Sequence, residues 1–303
     1  MSTINRSQHS KLLQEGLNTV FGLEYKRHPE QWKDLYAIEK SRKAFEEDTL
    51  VAGFGGAFEK PEGSAIQYDT AQQGWTARYV HTTYALGFRL TEESREDNLY
   101  LDIGKKYSRA LARSFVYTKE VNAAAPFNNG YTAGYTGGDG VTLFSNAHPL
   151  QNGSTFSNIL GTAAALSEAA LEDACINIGL LVDERGQPII VNPVRLVIPQ
   201  QLTFQAERIL SGTLRVGTAN NDINALRKRS SIPQGFVTNR YLSSSARWFL
   251  TTDIPDGMKH FIRVGLSRKM EGDFETGNMR YKARERYSFG WTDPRGVFGS
   301  GAI

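Results

Sequence analysis

The sequence predicts an α+β fold carrying two elements that outgrow an ordinary domain: a long two-stranded ribbon and one very long helix. Three observations point there. Residues 91–126 hold a continuous helical pattern, residues 74–91 alternate with β-type side chains, and the closing stretch "YKARERYSFGW" (281–291) reads as a strand with two unlike faces. The chain has 303 residues, so it exceeds the size at which single cores usually stop growing. Its composition, 40 % hydrophobic and 22 % charged, belongs to a globular protein and excludes disorder over most of the length.

In chain order, residues 1–50 are polar apart from an amphipathic patch. There Leu12, Leu13, Leu17 and Val20 keep roughly helical spacing, interrupted by Gly16 and Gly22. A surface helix with a flexible lead is expected, the alternative being an arm that packs on another chain. From Gly53 the texture changes: "AGFGGAFEKPEGSAIQYD" clusters glycine and proline, and "GWTARYVHTTYALGFRLT" then alternates. Together they predict a two-stranded excursion with a loose tip. Such a hairpin is marginal alone in water and needs a surface to lie on.

The long helix opens on Glu92, Glu93, Glu96 and Asp97 and carries Lys105, Lys106, Arg109 and Arg113 further along, an order that suits the helix dipole. Ile103, Tyr107 and Leu111 form part of its stripe, and Pro126 is expected to stop it. A Gly-, Asn- and Ser-rich stretch follows. Then Ser167 caps a helix with the stripe Leu171, Ala174, Cys175, Ile178 and Leu181. Strand "VRLVIP", helix "QQLTFQAERILSG" and two strand-like runs around Pro255-Asp256-Gly257 complete the count. On the closing strand Tyr281, Ala283, Glu285, Tyr287, Phe289 and Trp291 share one face. Lys282, Arg284, Arg286 and Ser288 share the other, and Asp293-Pro294-Arg295-Gly296 hooks the end.

Chemistry is scarce. Cys175 is the only cysteine, which excludes an internal disulfide and a multi-cysteine metal site; on a helix stripe it reads as a packing thiol. The five histidines show no metal-ligand spacing, and neither "GFGGAF" nor "GYTGGDG" has the ending a phosphate loop needs. No cofactor or metal is expected. Ser145 and His148 in "SNAHP" could be imagined as nucleophile and base, but the strand–Ser–helix elbow is missing. A net charge of +3 does not make a dedicated nucleic-acid binder, so DNA contact must rest on a local cluster. The best is Lys105, Lys106, Arg109 and Arg113. No run approaches a membrane span and the opening lacks an apolar signal core, so assembly in the cytoplasm is expected.

Four motifs in order, "YALGFRLTEE", "DGVTLFSNAHP", "VRLVIPQQLTFQAERIL" and "YKARERYSFGWTDPRGVFGS", give the chain a resemblance from about residue 50 to its end. It resembles the major capsid proteins of tailed bacteriophages with the Hong Kong 97-type fold, and within them the Mu-like major head subunits. The resemblance implies an N-terminal arm (1–50) and an extended loop (51–90). It implies a peripheral domain (91–159) with a spine helix (91–126), an axial domain (160–250), and return strands (251–303). It further implies a non-enzymatic subunit forming pentamers and hexamers of an icosahedral head around double-stranded DNA. Portal and scaffolding proteins, and decoration proteins in some heads, would be its partners, with scaffolding supplied by another chain. Lys60, Glu62, Trp75, Arg78, Tyr84 and Arg295 become the expected subunit-interface residues, with Tyr287, Phe289 and Trp291 packed inward against the spine helix. Some relatives weld a loop lysine to a neighbour's asparagine; Lys60 sits in the loop, but no matching asparagine and glutamate can be placed. A cellular nanocompartment shell is the alternative within the fold, and a serine hydrolase the alternative outside it.

Overall fold

A computed structural model of the chain describes residues 7–91, 100–214, 223–273 and 277–301. Helix α1 (Ser7–Arg27) is followed by strands β1 (Ala37–Lys40), β2 (Phe45–Ala52), β3 (Gln72–Val80) and β4 (Thr82–Leu90). The long helix α2 (Tyr100–Asn129) leads through short β5 (His148–Pro149) and β6 (Thr155–Phe156) to α3 (Glu168–Gly179). Then come β7 (Pro193–Ile198), α4 (Thr203–Ser211), α5 (Ala225–Lys228), β8 (Phe236–Thr238), β9 (Phe249–Thr252), β10 (Met258–Gly272), β11 (Met279–Trp291) and β12 (Val297–Gly299).

Two sheets organise these elements. The first has the order β1-β10-β11-β4, and the second β12-β9-β7-β8. In the first, α1 and α2 cover one face, with Leu17 and Phe21 of α1 buried among Leu111, Phe115, Tyr281 and Ala283. Gly16 and Gly22 therefore do not break α1, because burial of Leu17 and Phe21 outweighs their weak helix propensity. Leu12 and Leu13 lie in a part of α1 whose side chains are outside the described residues. The second sheet packs with α3 and α4 around Leu171, Ile178, Leu196, Ile198, Trp248 and Phe298. A third cluster, including Trp32, Phe127, Phe144, Phe249 and Trp291, joins the two layers.

Helix α2 departs from expectation at its end. Pro126 lies inside it rather than terminating it, and the helix runs to Asn129. Tertiary anchors override the lost backbone donor: Phe127 is fully buried against Tyr36 and Phe249, and Asn128 bonds the Tyr241 carbonyl and the Ser243 amide. The acidic start at Glu92, Glu93, Glu96 and Asp97 lies outside the described residues. The 30 described residues alone span about 45 Å at 1.5 Å per residue.

The ribbon is also paired differently. Strand β3 pairs antiparallel with β2, which lies upstream of the expected excursion, while β4 pairs with β11 inside the first sheet. The two strand-like runs expected around Pro255-Asp256-Gly257 are β9 and β10, and the turn carries the chain from the second sheet to the first. Ser167 caps α3 as expected, accepting from the Ala170 amide, and Gly212 closes α4.

Candidate assembly interface

The hairpin β2–β3 is fastened at its root and bare at its tip. At the root, the Trp75 indole donates to the Thr292 carbonyl (3.2 Å), the Tyr79 hydroxyl meets the Thr292 hydroxyl (2.6 Å), and Thr292 donates to Asp48 (2.7 Å). Lys259 reaches the same carboxylate and also Asp256 (2.9 Å) and Glu39 (3.6 Å), with its own side chain only 7 % exposed. Burial alone would lower the Lys259 pKa, but the hydrogen bonds and charges of Asp48 and Asp256 raise it. Burial likewise works against ionised Asp48, yet Lys259 and Thr292 hold its carboxyl below the usual range. Gly138 completes the seat: any Cβ there would come within 2.8 Å of the Thr76 carbonyl, so only glycine lets β3 lie this close.

The tip, residues 53–71, has no strand or helix and almost every side chain is exposed. Phe54, Phe58 and Ile66 are each 65 % exposed and Tyr68 is 94 % exposed. Lys60 and Glu62 lie here, in water. At the tip's exit Asp69 accepts from the amides of Gly55 (2.7 Å) and Thr70 (2.8 Å), and these bonds hold its pKa below the usual carboxylate range. Arg185 grips Asp69 (2.7 Å) and the Thr70 carbonyl (2.5 Å), tying the exit to the turn after α3.

The other expected interface residues divide. Arg78 is exposed, lying over the Phe45 ring at 4.0 Å with Glu47 at 3.9 Å. Trp75 is half-buried by its bond to Thr292, and Tyr84 stacks on Tyr287 at 4.8 Å. Arg295 has to be reassigned. It is 2 % exposed and sits over the Phe156 ring, bonded to Glu184 (2.7 Å), Asp293 (3.2 Å) and the Val182 carbonyl (2.8 Å). It is an internal strut between the C-terminal hook and the second layer, because a guanidinium with this many partners is more stable inside than at a wet rim.

Strand β11 shows the two faces its sequence implies over its first half only; further on, Ser288 is buried against His81 and Arg286 and Phe289 are half-buried. Tyr281, Ala283, Glu285, Tyr287 and Trp291 are buried, whereas Arg280, Lys282 and Arg284 are exposed. Tyr287 accepts from Asn122 of α2 (3.1 Å), Phe289 stacks on His260 at 4.1 Å, and Trp291 packs near Tyr135. Glu285, an acid on the greasy face, is answered by Lys119 of α2 at 3.6 Å; that ammonium also lies over the Trp32 and Tyr287 rings. Nearby Glu120 caps the 3-10 turn 31–34 through the Gln31 amide (2.7 Å), and burial pushes its pKa up to about 7. Sequence reasoning missed Lys119, Lys259 and Arg185, whose roles depend on partners far away in the chain.

Lys105, Lys106, Arg109 and Arg113 are exposed along one side of α2, with Arg113 at 3.9 Å from Glu24 of α1. The Ser145–His148 pair is not assembled: His148 is fully buried, bonded to Asp139 (2.6 Å) and Asn158 (3.2 Å), while the Ser145 hydroxyl accepts from the Ala147 amide. Burial pushes the Cys175 thiol up to about 11, the behaviour of a packing residue. Among the described residues no group of three potential metal ligands converges, and no helix is long and apolar enough to cross a membrane.

Several solved structures share this architecture. The virus-like particle from Pyrococcus furiosus matches with a TM-score of 0.51 at 8 % identity, covering 94 % of this chain and 98 % of that one. The capsid of an empty GTA particle, computed with C5 symmetry, matches at 0.52 and 13 % identity, covering 89 % and 88 %. A phage-related protein from Bordetella bronchiseptica matches at 0.51 and 11 %, covering 93 % and 95 %. No curated protein sequence matches. At these identities the likenesses establish the fold, α+β of the Hong Kong 97-like capsid type. The family model described as phage capsid protein matches residues 76–300, most of the chain, and with that match the chain belongs to the phage capsid protein family.

Proposed function

We propose that this chain is the major head subunit of a tailed bacteriophage of the Mu-like branch, closing as pentamers and hexamers around double-stranded DNA. The observation that carries the reading is the hairpin: its root is pinned by Lys259, Asp48 and Thr292, while the tip at 53–71 leaves Phe54 and Phe58 65 % and Tyr68 94 % exposed. A soluble monomer gains nothing by leaving Phe54, Phe58 and Tyr68 in water; a subunit that lays them on a sister copy does. Head-to-tail contacts of this kind close into rings when the rotation allows, so one chain can build both capsomer types.

In this reading residues 1–50 are the arm, 51–90 the extended loop and 91–159 the peripheral domain with its spine helix. Residues 160–250 form the axial domain and 251–303 the return strands. The arm's Leu17 and Phe21 rest on the chain's own spine, so the loop is the principal reaching element. Portal, scaffolding and decoration proteins are the partners this role calls for, assembly takes place in the host cytoplasm, and Lys105, Lys106, Arg109 and Arg113 offer sequence-blind contacts to packaged DNA. Expression with scaffold partners followed by electron microscopy tests the role: closed particles support it, and a monodisperse soluble monomer under all such conditions overturns it.

A further inference from the structure

The β2–β3 hairpin joins the first sheet through two crossings, and one side chain ties both. The incoming leg leaves β1 at Ser41, and the outgoing leg enters β4 after His81, beside the first rung of the hairpin ladder, Phe45 opposite Val80. His81 is 4 % exposed, and its ring bonds the Ser41 hydroxyl through Nε2 (2.9 Å) and the Ser288 hydroxyl of β11 through Nδ1 (3.0 Å). The imidazole thereby links the entry, the exit and the central strand. Two arginines brace the same crossings. Arg286 of β11 donates to the His81 carbonyl (3.2 Å), and Arg263 of β10 donates to the Lys43 carbonyl (2.9 Å).

The hydrogen bonds fix the ring's proton. Ser41 gives its own hydrogen to Glu46 of β2 (2.7 Å), and its oxygen accepts from the Lys43 amide (3.1 Å). Nε2 must therefore carry the ring hydrogen and donate to Ser41, which leaves Nδ1 to accept from Ser288. A second proton falls on Nδ1, forces the Ser288 hydroxyl to turn, and sets a third cation beside Arg286 and Arg263 in a buried site. Among the described residues the acid facing the ring is Glu46, one hydroxyl away and shared with Lys43 (3.3 Å). Phe261 of β10, the aromatic neighbour, offers no charge. Burial, then the charge of Arg286, holds the His81 pKa below its ordinary 6.5; Arg263 adds to this and Glu46 opposes it. The bond from Ser41 keeps Glu46 below the usual carboxylate range, so it stays ionised where His81 titrates.

We infer that His81 is a proton-operated latch on the pivot of the hairpin: with a neutral ring it locks both legs to β11, and with a second proton it frees them, so that the hairpin turns on its fastening at Thr292. The open hairpin, with an ordinary imidazole, takes up a proton that the closed one refuses. The latch therefore holds fully above about pH 6.5 and weakens as pH falls below it. The second fastening, Trp75 and Tyr79 on Thr292 with Asp48 on Lys259, contains no histidine and stays closed. The latch is a property of the single chain and does not rest on the shell-forming role. Within a shell it makes the direction of the loop 53–71 respond to protons.

Amide hydrogen exchange of the full chain, parent and His81→Gln, tests the latch at pH 7.5 and pH 5, each rate divided by the intrinsic rate at that pH. Glutamine can bridge both serines but takes up no proton in this range. In the parent, protection of residues 41–47 and 78–83 falls by about five- to thirtyfold between the two pH values, and in the variant by less than about threefold. Residues 171–178 of α3 are the control and keep their protection in both chains. An equal fall in the two chains, or no fall in the parent, overturns the latch. If His81→Gln does not fold, Ser288→Ala replaces it. Without its partner on β11 the ring no longer holds the legs, and both segments exchange faster already at pH 7.5; parental protection there overturns the latch. A parent that shows the pH response yet forms no closed particle removes the shell reading alone.

Discussion

Lys119 and Glu285 show how much a single pair settles in this protein. The ammonium is held between a carboxylate at 3.6 Å and the faces of Trp32 and Tyr287, where α2 packs on β11. Replacing Lys119 with Met leaves Glu285 buried without its counter-charge, and a loss of about 3–5 kcal/mol is expected in urea unfolding of the subunit. Replacing both, Lys119→Met with Glu285→Leu, recovers most of that loss. Glu120 makes a pH-dependent contribution of the opposite kind. Burial raises its folded pKa from 4.5 to about 7, so the unfolded chain gives up this proton more readily. The contribution to stability is therefore fully present below about pH 4.5 and is lost as pH rises through 7. Glu120→Gln, which keeps an acceptor for the Gln31 amide, should be more stable than the parent at pH 8 and lose that advantage toward pH 4.5. Equal pH profiles for the two chains would contradict this assignment.

At the scale of elements, what could be read in advance was whatever a local period encodes. The alternation of β11 is a local property, and over 279–285 its buried and exposed faces are those the period of two assigns; beyond that Arg286 is half-buried and Ser288 buried, because His81 covers the second face there. Helix α3 was equally legible because its cap and its stripe are both local. The partner of β3 was not, since the run "FEEDTLVA" of β2 sits upstream of the Gly-rich texture that drew attention, and pairing depends on distant contacts. Pro126 misled for a related reason: the penalty is local, while the anchors that offset it come from Tyr36, Tyr241 and Phe249. The interface residues divided along the same line. Lys60 and Glu62 could be placed on the tip from the glycine and proline around them. The inward turn of Arg295 depends on Glu184 and the Val182 carbonyl, more than a hundred residues away. Two predictions belong here. Trp291→Ala removes a ring that is only 7 % exposed at the junction of the layers and should cost about 3–5 kcal/mol in unfolding experiments. Replacing residues 53–71 with a two-residue Asn-Gly turn should leave a folded subunit, because the Lys259, Asp48 and Thr292 fastening is untouched, yet abolish closed particles.

For the whole molecule the proposed role implies a division of labour between a packed body and an exposed tip. The two sheets meet at an aromatic cluster, and the C-terminal hook is tied to the turn after α3 through Arg295, Glu184 and Asp293. Among the described residues the loop 53–71 carries the most exposed aromatic side chains, and in the proposed role it finds its resting surface on a neighbour. Many such modest contacts, repeated around a ring and between rings, accumulate into a stable shell. The central claim, that the tip at 53–71 rests on a sister subunit, is tested most directly by a cryo-electron microscopy reconstruction of the assembled particle. The account predicts that the tip is ordered against the surface of an adjacent subunit. A tip lying wholly on its own chain, with neighbours joined only through other surfaces, would contradict it.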